Sequence, residues 1–124
     1  MRTQAPTPFP TDRPLVFVDL ETTGANFARD RILEVGLVEV DADGVREWEA
    51  LVNPGQPVTP FISELTGIDD AMVADAPEFS ALAEELRQRL SGKLFIAHNA
   101  RFDHGFLKAE FARLGIDFRA SVLC

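Results

Sequence analysis

Asp19 and Glu21 stand two positions apart at the end of the apolar run Leu15–Val18, inside the octet FVDLETTG that spans Phe17 to Gly24. On a strand, where side chains alternate with a period of two, both carboxylates project from one face. Two acids at a buried strand end repel each other, and each costs several kcal/mol to desolvate unless a cation neutralises them. Oxygen ligands of this kind suit hard divalent ions such as Mg2+ or Mn2+. Taken alone, Asp-x-Glu also fits a solvated strand end. The next residues add donors: Thr22 and Thr23 bring hydroxyls and backbone N–H groups, and Gly24 permits a tight turn or the close approach of a ligand. Acids for a metal, followed by donors for a phosphate or sugar, make a coherent site.

A second segment supplies a third acid. Lys93–Ala97 (KLFIA) is a short apolar run of buried-strand type, and it leads into His98, Asn99, Ala100, Arg101, Phe102 and Asp103. From Phe102 the apolar residues recur at Phe106, Phe111 and Leu114, which predicts an amphipathic helix closed by Gly115 with Asp103 in its first turn. An acid there complements the helix dipole in any protein. Its position just after a buried strand also brings it toward Asp19 and Glu21 if the two strands pair.

FVDLETTG followed by AHNARFD resembles the first two motifs of the DnaQ-like, or DEDD, 3'-5' exonuclease superfamily, the family of the proofreading epsilon subunit of bacterial DNA polymerase III. The intervening ISELTGI (Ile62–Ile68), with Met72 and Ala76-Pro77 after it, resembles the connecting region of the epsilon-like branch. The likeness runs over residues 14–124. It implies that Asp19, Glu21 and Asp103 are three of four acidic ligands for two divalent ions, Mg2+ or Mn2+, and that these three are the catalytic acids. Such paired ions lie about 3.5–4 Å apart and serve the attacking and leaving oxygens of an in-line displacement. The resemblance further implies that Thr22, Thr23 and Gly24 lie near a terminal 3'-OH. Leu65, Thr66, His98, Asn99 and Phe102 would border the last nucleotides. The implied function is removal of nucleotides from 3' ends of single-stranded DNA, of proofreading or repair type. An RNA 3'-exonuclease of the same superfamily and a non-catalytic docking module are the alternatives. A DNA polymerase subunit or a fused nuclease domain are the implied partners.

Members of the superfamily carry a third motif, an acid with His or Tyr five residues before it, on a later helix. No such pair follows Asp103 within the 124 residues, and neither His98 nor His104 fits the role. The sequence therefore reads as the N-terminal portion of an exonuclease domain over residues 14–124, preceded by a Pro-rich disordered leader over 1–13. Missing C-terminal helices are expected to leave apolar surface uncovered.

The elements that must position these residues follow from periodicity. Strands are expected at Leu15–Leu20, Ile32–Val40 and Val45–Val52, the last two joined at Asp43-Gly44. A short helix is expected at Pro60–Leu65, ending at Gly67, and an amphipathic helix at Glu78–Leu90. The strand at Lys93–Ala97, the second-motif helix and a last strand at Phe118–Cys124 complete an α/β fold: an RNase H-like mixed sheet, three antiparallel strands then parallel ones, flanked by helices. Trp48 reads as packing or edge shielding, Arg29 and Arg31 as loop residues that are solvated rather than in contact with phosphate, and Arg101 as a candidate base or phosphate contact.

Composition sets bounds. A net charge of −8 and a pI near 4.6 argue against gripping duplex nucleic acid by its phosphates, but not against trimming an end through metals. The single cysteine, Cys124, forbids an internal disulfide and fits a reducing cytoplasm. No apolar run suits membrane insertion or secretion.

Overall fold

The computed structural model describes residues 13–123. The expected leader, apart from Arg13, and Cys124 lie outside the described residues.

β1 (Leu15–Thr22), β2 (Ile32–Asp41) and β3 (Gly44–Leu51) form an antiparallel meander, followed by the short helices α1 (Pro60–Thr66) and α2 (Asp70–Val73) and the longer α3 (Phe79–Leu90). β4 (Leu94–Ile96), α4 (Ala100–Arg113) and β5 (Ser121–Leu123) complete the chain. The five-stranded sheet has the order β3-β2-β1-β4-β5. β1 pairs antiparallel with β2 and parallel with β4, and β4 pairs parallel with β5. This is the mixed α/β sheet expected from the sequence. α2 was not foreseen, α4 begins two residues earlier than the apolar period suggests, and β5 is shorter.

Strand alternation builds the core. Val16, Val18 and Leu20 of β1, with Val35 and Leu37 of β2 and Phe95 of β4, are buried with α3 and α4 through Phe79, Leu86, Leu90, Phe106, Leu107 and Phe111. A smaller apolar cluster of Leu33, Val58, Ile62, Ile68 and Val73 seats α1 and α2. The alternate residues Phe17, Asp19, Gly36, Val38, Glu47 and Glu49 line a groove of about 470 Å3 on the sheet. At the end of β5, Val122 and Leu123 are exposed.

Local chemistry ends the helices. The Thr59 hydroxyl accepts the Ile62 N–H at the start of α1, and Gly67 closes that helix in the left-handed region at φ 78°. Gly67→Ala is expected to lower stability by about 1–2 kcal/mol, read as a shift of the urea midpoint with an unchanged slope. No helix of the described residues is long and apolar enough to cross a membrane.

Two buried acids tie elements together. Glu39 on β2 accepts from Lys93 Nζ at 2.5 Å and from Arg89 Nη1 at 2.6 Å. Burial pushes its carboxyl up, but these two cations more than offset that and hold it below its ordinary range. Arg89 also lies 5.3 Å over the half-buried Trp48 ring, which assigns that tryptophan the packing role expected of it. Glu110 on α4 accepts from Arg31 Nε at 3.0 Å and Nη2 at 2.8 Å, and from the Ile32 N–H at 3.0 Å. Arg31, read from sequence as a solvated loop residue, is thus the anchor of β2 on α4, and the Glu110 bond raises its pKa.

Candidate active site

β1 carries Asp19 and Glu21 to one end of the central strand. The register there shifts between Glu21 and Thr22, so Glu21 pairs with Glu34 but Thr22 pairs with Ile32. Such a bulge re-aims the chain beside a functional site, and here it turns the backbone into the Thr22-Thr23-Gly24 loop. Asp19 is exposed in the groove, whereas Glu21 is half-buried. Burial first, then Asp19, then Glu34 raise the Glu21 pKa.

β4 runs parallel to β1 and delivers α4 beside it. Asn99 is the residue before this helix and Asp103 lies in its first turn. Asp103 is only 6% exposed, and its pKa is pushed up to about 6, first by burial and second by Asp19. Backbone hydrogen bonds from Leu20 and from its own N–H, and the charge of His98, act in the opposite direction. The structure therefore puts Asp19 in electrostatic contact with both Glu21 and Asp103. The raised Glu21 and Asp103 values mark unneutralised negative charge there, and carboxylate oxygens are the ligand type that hard divalent cations take. Among the described residues, however, no three His, Cys, Asp or Glu side chains are gathered into a ready metal cage.

Next to these acids lies a cleft of about 320 Å3, lined by Leu20, Glu21, Thr22, Gly24, Ala25, Phe61, Ile62, Leu65, Thr66 and Phe102. That volume falls in the usual range of small-molecule clefts, about 300–1,000 Å3. The cleft unites Glu21, Thr22, Gly24, Leu65, Thr66 and Phe102 of the residues expected to touch substrate. Thr23, His98 and Asn99 do not line it. Thr23 faces the neighbouring loop: its hydroxyl donates to Gln56 Oε1 at 2.5 Å, lies 3.3 Å from Asp30 Oδ1, and accepts the Arg31 N–H. Thr22 spends its proton on the Gly24 carbonyl at 2.6 Å, and Thr66 donates to the Ile62 carbonyl. Gly24 is small for a different reason than a ligand: a Cβ there would come within 2.7 Å of Asp30 Cγ.

Phe61, like Leu20, Ala25 and Ile62, lines the cleft without having been marked as a site residue by the sequence. It is 72% exposed, with Leu65 at 69%, while Ile62 between them is buried. The available signal was a helix of about two turns with apolar residues on two faces, one of them the i, i+4 pair Phe61 and Leu65. Arg101 is exposed and lines neither this cleft nor the groove.

Residues 16–123 match the RNase_T exonuclease family model. The PolC-type DNA polymerase III of Caldanaerobacter subterraneus subsp. tengcongensis is 38% identical over 109 residues, which is 87% of this chain and 8% of that protein. The 3'-5' exonuclease DinG of Bacillus subtilis is 38% identical over 102 residues, 81% of this chain and 11% of that protein. The chain thus spans about a tenth of the length of these curated relatives. Exonuclease X in complex with 5' overhanging duplex DNA superposes with a TM-score of 0.68 at 26% identity, covering 89% of this chain and 58% of that one. A zinc-bound E. coli ExoI–ssDNA complex has the same fold, with a TM-score of 0.76 at 20% identity over 88% of this chain and 26% of that one.

Proposed function

From membership of the RNase_T exonuclease family, to which this chain belongs, we propose that it carries the acidic centre and 3'-end cleft of a metal-dependent exonuclease domain that removes nucleotides from single-stranded DNA. The observation that carries this reading is the adjacency of two features: the coupled acids Asp19, Glu21 and Asp103, and a largely apolar cleft that Glu21 itself lines.

Asp19, Glu21 and Asp103 would hold one or two Mg2+ or Mn2+ ions. When bound, these would neutralise phosphate charge and lower the pKa of water toward neutrality. The rest of the work falls to the chain. The Leu20 N–H fixes the Asp103 carboxylate, and the β1 strand fixes the spacing of Asp19 and Glu21. Phe61, Leu65 and Phe102 present apolar faces to the terminal bases, which stack on such surfaces without regard to sequence. With Thr22 and Gly24 at the floor, the same walls exclude water and hold the last phosphodiester at the acids, the positioning on which phosphoryl chemistry chiefly depends. A polymerase or fused nuclease partner is the setting we propose for the domain.

The test is incubation of a 5'-labelled single-stranded DNA oligonucleotide with excess protein and Mn2+. The expected result is Mn2+-dependent binding and a ladder shortened one nucleotide at a time from the 3' end, both lost in Asp19→Ala and in EDTA. Binding indifferent to Mn2+ and to Asp19→Ala would overturn the proposal. Stronger binding of RNA of the same sequence would move the substrate to RNA.

A further inference from the structure

The loop between Gly24 and Ile32 holds an aromatic ring that the site as described does not use. Phe27 is 41% exposed, yet its loop is tied down throughout. Asn26 Oδ1 accepts the Ala28 and Arg29 N–H groups at 2.9 and 3.1 Å, and Asp30 Oδ2 accepts the Asn26 N–H at 2.9 Å. Gln56 Nε2 donates to the Arg29 carbonyl at 3.1 Å, and Arg113 Nη2 on α4 donates to the Phe27 carbonyl at 3.0 Å. The ring lands on α4 where that helix has no side chain: a Cβ on Gly105 would lie 2.6 Å from Phe27 Cζ and 2.8 Å from Cε1. Glycine inside a helix costs about 0.5–1 kcal/mol relative to alanine, and at Gly105 it makes room for this ring.

Seated there, Phe27 meets Phe106 edge-on at 5.0 Å and Phe102 at 6.2 Å, while Phe102 and Phe106 are 4.8 Å apart. Phe106 is fully buried and fixed by the core, whereas Phe102 is half-buried and forms one wall of the cleft. We infer that Phe27 is a positioning residue: clamped over Gly105, it buttresses Phe102 and so sets the wall against which the terminal base stacks. A side chain on a flexible stem at Phe102 would swing in the cleft; a ring braced from behind by a second ring and from beside by Phe106 does not. This inference rests on the reading of the cleft as the 3'-end site. It adds that the loop following the acidic motif tunes substrate affinity without touching substrate.

The experiment measures anisotropy of a 5'-fluoresceinated oligothymidylate with Mn2+, for wild type, Phe27→Ala, Phe27→Tyr, Phe102→Ala, the double alanine variant and Gly105→Ala, with circular dichroism melts as the fold control. Phe27→Ala is expected to weaken binding about three- to tenfold, a part of what loss of a stacked base costs, and Phe27→Tyr to restore it. Gly105→Ala, which keeps Phe27 but evicts its ring, is expected to weaken binding comparably. The double variant is expected to bind no worse than Phe102→Ala alone, because the two residues act as one unit. Wild-type binding by Phe27→Ala and Gly105→Ala beside an impaired Phe102→Ala would overturn the inference and leave the cleft assignment standing. Wild-type binding by Phe102→Ala as well would overturn the cleft assignment with it.

Discussion

Asp103→Asn is expected to abolish metal-dependent hydrolysis while making the metal-free protein more stable at neutral pH. The loss follows from removing a charged ligand. Changes even one shell outside a metal cost about 10- to 100-fold in affinity or activity, so a reduction of at least about 100-fold is the expected result. The gain follows from linkage. The Asp103 pKa is raised from 3.8 to about 6 by burial and by Asp19, so the folded state binds a proton more tightly than the unfolded chain. Its contribution to stability is fully present below about pH 4 and is lost as pH rises through about 6. Above that, the charge costs on the order of 2–3 kcal/mol, and Asn, which still accepts the Leu20 N–H, avoids most of it. Thermal melts of both proteins in EDTA from pH 4 to 8 check this: the curves should converge at the acid end and separate as pH rises. An Asp103→Asn variant less stable than wild type at pH 7 in EDTA would show that the carboxylate is held for structure and not for a cation.

The second large effect lies in Glu110. Its carboxylate is 1% exposed and takes three short hydrogen bonds from the Arg31 guanidinium and a fourth from the Ile32 N–H. Glu110→Ala leaves a cation and a backbone donor facing a hole, and removing one partner of a buried pair typically costs about 3–5 kcal/mol. Against total stabilities of about 5–15 kcal/mol, that is a large share. The effect should also reach the site, because this bond pins the start of β2 to α4 and, through the pairing of β2 with β1, keeps the strand holding Asp19 and Glu21 in place beside the helix holding Asp103. Chemical denaturation of Glu110→Ala, Arg31→Met and the pair measures the coupling. A sum of the single costs equal to the cost of the double would mean that the bridge contributes nothing beyond its parts.

The sequence disclosed those parts of the molecule that obey a period. β1, β2 and β3 alternate, α3 repeats Phe79, Leu82, Leu86 and Leu90 at three or four residues, and each lies where expected. Asp19, Glu21 and Asp103 were legible because strand alternation and one helical turn fix where three acids point. What stayed hidden depends on chain segments distant in sequence. α2 is a single turn capped by Asp69, too short to show a period. Arg31 and Glu110 are 79 residues apart, and nothing near Arg31 announces its partner. The commitment of Thr23 to Asp30 and Gln56, and of Gly24 to the space Asp30 needs, likewise arises from how two loops close on each other. Phe61 and Phe27 are exposed aromatics on short segments, where hydrophobicity alone argues for burial and misleads.

The measurement that bears most directly on the acidic centre is an electron paramagnetic resonance titration with Mn2+, counting free ion against protein for wild type, Asp19→Ala, Asp103→Asn and Glu49→Gln. Glu49 lines the same groove as Asp19 but belongs to no part of the proposed ligand set, so it controls for loose binding to an acidic surface. Saturable binding in wild type and Glu49→Gln, weakened at least about tenfold in Asp19→Ala and Asp103→Asn, is the predicted result. Equal binding by all four proteins would contradict the assignment of Asp19, Glu21 and Asp103 as a metal centre.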